Sequence, residues 1–149
     1  MRVVLQRVTH ASCTVDGHVT GAIENGLCLF VGFAPDDTDR TLEKMVHKIL
    51  NLRIFTDDQD KMNLNVQQVG GSILSISQFT LYANCIKGNR PGFSEAAPAQ
   101  MASLLYDKFN ALLKEQIHTE TGIFQADMKI DLLNDGPITI VLDSKELKF

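Results

Sequence analysis

Hydrophobic positions recur along this chain with two periods, and the switches between them mark out its elements. Near the start, Val3, Leu5 and Arg7 alternate with Val4, Gln6 and Val8. Residues 13–15 and 18–20 then flank Asp16-Gly17, a dipeptide suited to the positive φ angles of a tight hairpin turn. Residues 27–33 form a continuous apolar run bounded by Gly26 and Pro35. It is too short for a helix and predicts a strand buried on both faces. From Asp39 the period becomes helical, with Leu42, Met45, Val46, Ile49 and Leu50 in one stripe. Asp36, Asp37 and Asp39 stand at its start, where negative charge suits the helix dipole. Residues 52–56 predict a short strand before the turn 57–60, and residues 72–83, rich in Ile, Phe, Thr and Tyr, predict one long strand. A second helix is expected from near Pro98 to about Thr119, with Met101, Leu104, Leu105, Leu112, Leu113 and Ile117 on one side and Gly122 as its stop. The clearest strand signal follows: Phe124, Ala126, Met128, Ile130 and Leu132 occupy every second position. After a turn at 134–137, Ile138, Ile140 and Leu142 resume the alternation in a final strand.

Seven or more strands and two helices, joined mostly by hairpins, predict an α+β domain with a largely antiparallel sheet or barrel and both helices packed on it. With 149 residues and no linker, repeat or low-complexity tract, the chain reads as one domain over residues 1–149. No apolar run approaches the ~20 residues of a membrane span. The N-terminus is interrupted by polar residues where a signal peptide would have an apolar core, so a soluble, cytoplasmic protein without a membrane partner is expected. Cys13, Cys28 and Cys85 are odd in number and widely spaced, which argues against a disulfide framework; all three are expected to be buried or half-buried. His10, His18, His47 and His118 show no metal-ligand spacing, and neither a metal nor a cofactor is expected.

The net charge of −4 speaks against a nucleic-acid partner until its distribution is considered. Residues 1–15 and 61–94 contain no carboxylate side chain, and their basic residues are Arg2, Arg7, Lys61, Lys87 and Arg90. If the two segments meet, they make a neutral-to-positive face on which a polyanion can dock. The alternative is that both are buried strands, where charge is absent anyway. Burial does not account for Lys87-Gly88-Asn89-Arg90-Pro91-Gly92, which has the composition of an exposed loop.

Dinucleotide, Walker and Gly-x-Ser-x-Gly motifs are all absent. Two segments carry the remaining candidate chemistry. Ser77-Gln78-Phe79-Thr80 sets hydroxyl and amide groups on a strand running toward the 87–92 loop; polar side chains on such a strand commonly just face water. Asn134-Asp135-Gly136-Pro137-Ile138-Thr139 contains an X-Pro bond, for which the cis form costs only ~0.5–1 kcal/mol, with an ordinary trans turn as the alternative.

In their order and spacing, Gln6-Arg7-Val8, Ser77-Gln78-Phe79-Thr80, the loop from Lys87 to Phe93 with Ala96-Ala97-Pro98, and Asn134 to Thr139 resemble the D-aminoacyl-tRNA deacylases over essentially the whole chain. Gly92 departs from the pattern, where a small polar residue is expected. The resemblance implies a homodimer that hydrolyses the ester of D-aminoacyl-tRNA and of glycyl-tRNA and rejects L-aminoacyl-tRNA. It implies that Gly136-Pro137 is a cis pair reaching into the partner's site to select chirality, with Arg7 holding it in place. Ser77, Gln78, Phe79 and Thr80 match the catalytic motif, with main-chain N–H groups around Phe79 and Thr80 suited to an oxyanion. Thr80 is the obvious nucleophile but has no base near it in sequence, so attack by water assisted by the substrate's 2′-hydroxyl is favoured. Lys87 and Arg90 are candidate tRNA-phosphate contacts. The other readings are a non-catalytic nucleic-acid-binding dimer and a related deacylase with a wider pocket that accepts some L residues.

Overall fold

In the computed structural model, which describes residues 1–149, Asp16 and Gly17 both take positive φ, 49° and 77°. They join strand β1 (Arg2–Val15) to β2 (His18–Ile23) in the expected hairpin. Strand β3 (Gly26–Gly32) continues along the same edge of β1 in the same register, from Ala11 opposite Ile23 to Arg2 opposite Gly32. β2 and β3 therefore act as one long arm broken at Glu24-Asn25. The other edge of β1 takes the last strand, β8 (Lys129–Asp143), antiparallel along nearly its whole length.

Helix α1 (Asp39–Asn51) starts at a reciprocal cap. The Thr38 hydroxyl accepts from the Thr41 N–H at 3.4 Å while the Thr41 hydroxyl accepts from the Thr38 N–H at 3.2 Å. It buries the stripe read from the sequence, Leu42, Met45, Val46, Ile49 and Leu50. A small hairpin, β4 (Phe55–Thr56) and β5 (Met62–Leu64), follows, then β6 (Ser72–Ser77), helix α2 (Ala99–Lys114) and β7 (Thr119–Thr121). β6 lies parallel to both β3 and β7. The sheet is thus largely antiparallel, as expected, but takes in two parallel pairings: each helix carries the chain back to the end it left, so the strands it connects emerge parallel. β7 returns to β2, where the Thr20 hydroxyl donates to Thr121 O at 3.3 Å, and the barrel is nearly closed.

Three expectations about the elements are corrected. The strand expected over 72–83 ends at Ser77, and Phe79–Tyr82 is a 3-10 turn. α2 stops at Lys114 because residues 119–121 are drawn into the sheet. Its buried face is Ala102, Leu105, Tyr106, Phe109 and Leu113, while Leu104 is 62% exposed. The alternation at 124–132 becomes a strand only from Lys129, and 134–137 interrupts that strand instead of joining two.

Strand alternation divides the interior in two. Leu5, Leu29 and Ile73 face the helices, with Leu42, Ile49 and Phe109, whereas Val8, Ala11, Cys13, Cys28, Leu74 and Ile76 fill the barrel. Cys13 and Cys28 are buried as expected, but Cys85 is exposed. No helix is long and apolar enough to cross a membrane.

Candidate active site

A cavity of about 940 Å³ opens where β6 ends. Ser77, Gln78 and Phe79 form one wall, the start of α2 with Ala99 and Ala102 another, and Phe124, Gln125 and Met128 a third. No charged side chain lines it. A crevice at the carboxyl end of a strand between parallel neighbours is a common ligand site, because the chain must leave the sheet there and exposes backbone groups as it turns.

The turn is made by Gln78. Its N–H gives the last bond to β3, 2.7 Å to Val31 O, and its backbone then leaves the sheet at φ −144° and ψ 78°. The 3-10 turn that follows bonds Leu81 N–H to Gln78 O and Ala83 N–H to Thr80 O. The N–H groups of Phe79 and Thr80 precede the first donor that the turn can satisfy. Gln78 Nε2 donates to the Thr80 hydroxyl at 2.6 Å, and no histidine or carboxylate is hydrogen-bonded to that hydroxyl. Thr80 is exposed and is not part of the cavity lining. Arg2 braces the turn from the far side, donating from Nη1 to Leu81 O at 3.1 Å while its guanidinium lies over the Tyr82 ring. The bond from Arg2 Nε to Asp143 raises the guanidinium pKa further, so the brace stays charged. In the sequence Arg2 stood out only as a basic residue of an acid-free segment.

The loop beyond the turn is closed at its base by paired backbone bonds between Asn84 and Gly92, 2.7 and 2.9 Å. Phe93 packs edge-on against Phe79, with ring centroids 4.8 Å apart. Lys87 and Arg90 stand in the loop around a shallow cleft, which shares Ser94 with the main cavity. A Cβ at Gly92 would meet nothing nearer than Asn84 O at 3.9 Å, so the departure at this position is sterically neutral.

Gly136-Pro137 lies elsewhere. β1 pairs Val8 with Asn134 and Gln6 with Thr139, so Arg7 alone faces Asp135, Gly136, Pro137 and Ile138, and β8 bulges outward. The Gly136–Pro137 peptide is cis, and Gly136 has φ +124°. Arg7 is buried beneath the bulge, donating from Nη1 to Ile54 O at 2.8 Å and from Nε to Asp135 O at 3.3 Å, with Asp135 Oδ2 also at 3.3 Å. Asn134 ties the base together, accepting from Ile138 N–H at 3.0 Å and donating to the Thr139 hydroxyl at 2.9 Å. Gly136 and Pro137 are exposed and do not line the cavity of their own chain.

Ser77, Gln78 and Phe79 thus meet at the cavity, Thr80 sits just outside it, Lys87 and Arg90 adjoin it, and Arg7 with Gly136-Pro137 forms a separate unit. The two acid-free segments make no common basic face, because Arg2 and Arg7 pair with Asp143 and Asp135 of β8. Phe124, Gln125 and Met128 are cavity residues that alternation hid, since it read them as strand.

Two solved structures resemble the chain over nearly its full length. One, named c-Myc DNA Unwinding Element Binding Protein, is 42% identical with a TM-score of 0.92, covering 97% of this chain and 99% of that one. The other, a probable eukaryotic D-amino acid tRNA deacylase, has a TM-score of 0.81 at 18% identity, covering 95% and 97%, a likeness of fold. The family model for D-Tyr-tRNA(Tyr) deacylase matches residues 4–143, which takes in most of β1, the 77–80 turn, the loop and the bulge. The chain therefore belongs to the D-Tyr-tRNA(Tyr) deacylase family, hydrolases that act on the ester bond of aminoacyl-tRNA.

Proposed function

We propose that this protein cleaves D-aminoacyl-tRNA and glycyl-tRNA to free amino acid and tRNA and spares L-aminoacyl-tRNA, as a cytoplasmic proofreading enzyme of translation. The observation that carries the reading is the pair of N–H groups, Phe79 and Thr80, left over at the mouth of an uncharged cavity. Water adds to the ester carbonyl, the carbonyl oxygen becomes an oxyanion held by those two donors, and collapse breaks the bond to the ribose oxygen. The ribose leaves as a hydroxyl. Thr80 has an amide donor and no base, so it is poorly placed to attack; the 2′-hydroxyl of the terminal adenosine is the group that assists the water.

Discrimination between enantiomers requires a rigid obstacle on one side of Cα, because D and L residues share every functional group. Gly136-Pro137 suits that role as main chain braced from below by Arg7. Because it stands on the outward bulge of β8, away from its own cavity, it acts in the cavity of a second copy, and the enzyme works as a homodimer. The unpaired edge of β8, with Leu133 53% and Val141 66% exposed, favours such pairing. Glycine has no side chain to reject, which accounts for glycyl-tRNA as a substrate. Lys87 and Arg90 contact phosphates near the acceptor end.

The test is release of amino acid from D-tyrosyl-, L-tyrosyl- and glycyl-tRNA by the purified protein. Release from the D and glycyl esters with the L ester spared is expected. Equal release of D and L points to the wider-pocket deacylase. No release at all points to the nucleic-acid-binding reading, which the name of the 42%-identical relative raises. Against that reading stands the pairing of Arg2 and Arg7 with Asp143 and Asp135, which leaves only Lys61, Lys87 and Arg90 of the acid-free segments to meet a polyanion.

A further inference from the structure

Strand alternation turns Ile73, Ser75 and Ser77 of β6 toward α2 and Leu74 and Ile76 into the barrel. Ser77 is at the cavity, and Ser75, one repeat deeper, is fully buried. On its far edge β6 is paired only by the three-residue β7, and that ladder stops where Ser75 faces Thr121. Ile76 and Ser77 then run on without a strand partner on that edge, toward the turn that holds Gln78 and Phe79. At the last paired position the Ser75 carbonyl accepts two bonds, from Gly122 N–H at 3.2 Å and from the Tyr106 hydroxyl at 2.7 Å. The Tyr106 ring is 3% exposed and lies 6.1 Å from the ring of Phe124, which walls the cavity opposite the turn.

We infer that Tyr106 is a positioning residue of the deacylase site: its buried hydroxyl fixes β6 at the point where the edge away from β3 loses its partner ahead of the catalytic turn, while its ring fixes the facing wall. The inference rests on the deacylase reading above. The ring alone would serve packing, as would phenylalanine; the hydroxyl adds a directional tie to one carbonyl two residues before Ser77. Burial raises the phenol pKa, so the group remains a donor through neutral pH. The surroundings are polar beyond what packing needs, since Ser75 Oγ and Asn110 Oδ1 are also buried there without partners. A displacement of the turn by a fraction of an ångström moves the Phe79 and Thr80 donors relative to the oxyanion, and misplacements near 1 Å cost on the order of 100-fold in rate.

The experiment compares kcat and KM for D-tyrosyl-tRNA in wild type, Tyr106→Phe, and Leu113→Val, the last a fully buried position on the same face of α2. Tyr106→Phe should lower kcat by about tenfold or more with KM within about twofold. Leu113→Val should lower Tm with kcat unchanged. 4-Aminophenylalanine at position 106, which keeps a donor at the ring's tip, should restore most of kcat. An unchanged kcat in Tyr106→Phe, an equal loss in Leu113→Val, or no recovery with the amino ring overturns the inference while wild-type activity leaves the deacylase reading intact. Absence of release by the wild type sinks both.

Discussion

Thr80 carries an exposed hydroxyl at the 77–80 turn with no base to activate it. Its hydroxyl sits in the matching motif, but its only side-chain partner is the Gln78 amide, a donor that occupies a lone pair and removes no proton. Thr80→Ala should therefore keep kcat for D-tyrosyl-tRNA within about tenfold of wild type, a hydrogen bond's worth of disturbance. A loss of several orders of magnitude with tRNA binding intact would make Thr80 the nucleophile. Lys87 and Arg90 take part in no ion pair, whereas Arg2 and Arg7 do, so of these four the loop cations are free to meet phosphate. Replacing both by alanine should weaken tRNA binding and flatten the slope of log K against log salt by about 1.4–1.8, measured by filter binding from about 50 to 200 mM salt. Unchanged affinity would remove them from the site. Arg7 shows where residue-level reading stops: alternation places it on a strand face, and only the bulge opposite explains why a guanidinium is buried there.

Among the elements, the bulge of β8 is the one whose shape matters most. A Cβ at Gly136 would lie 2.9 Å from Ile138 Cγ1 and 3.2 Å from Arg7 Nη2, at a φ that L residues avoid. Gly136→Ala should cost about 1–3 kcal/mol in urea unfolding. By moving the main-chain obstacle, it should also lower the ratio of D- to L-tyrosyl-tRNA cleavage by at least about tenfold; an unchanged ratio would free the bulge of any part in chirality. The turn from β4 to β5 offers a test by pH. Asp57 accepts from the Lys61 and Gln59 N–H groups, each at 2.9 Å, and from Asn63 Nδ2 at 3.1 Å. These bonds, led by that from Lys61 and opposed by desolvation, hold its carboxyl below the ordinary 3.8. A depressed pKa means the fold favours the charged form, so the contribution is full above about pH 3.8 and is lost as pH falls through the lowered value. The stability advantage of wild type over Asp57→Asn should accordingly be present at about pH 6 and shrink as the pH falls below 3.8; an advantage that stays undiminished in strong acid would contradict this account.

For the whole molecule, the proposed homodimer makes its own demand, that one chain does not complete the site. Val141→Lys places a charge on the exposed apolar edge. It should give a monomer by size exclusion that cleaves D-tyrosyl-tRNA at least about tenfold more slowly; a fully active monomer would refute a shared site. Much of this architecture was legible in the chain itself. The helical stripe of α1, the Asp16-Gly17 hairpin and the all-apolar β3 follow from local periodicity and turn chemistry, because those patterns serve only one backbone geometry at a time. The motif residues were legible too, as residue types in a familiar order. What required the tertiary structure was every feature set by contacts distant in sequence. The end of β6 at Ser77 depends on where β3 and β7 stop, and Arg7 is buried because the bulge of β8 covers it. The residues around Phe124 line a cavity instead of extending β8, and the sheet takes in two parallel pairings because two helices cross over it. Local sequence sets how a segment prefers to bend and which side it hides; which neighbour receives that side, and where two strands cease to match, is decided only when the chain closes on itself.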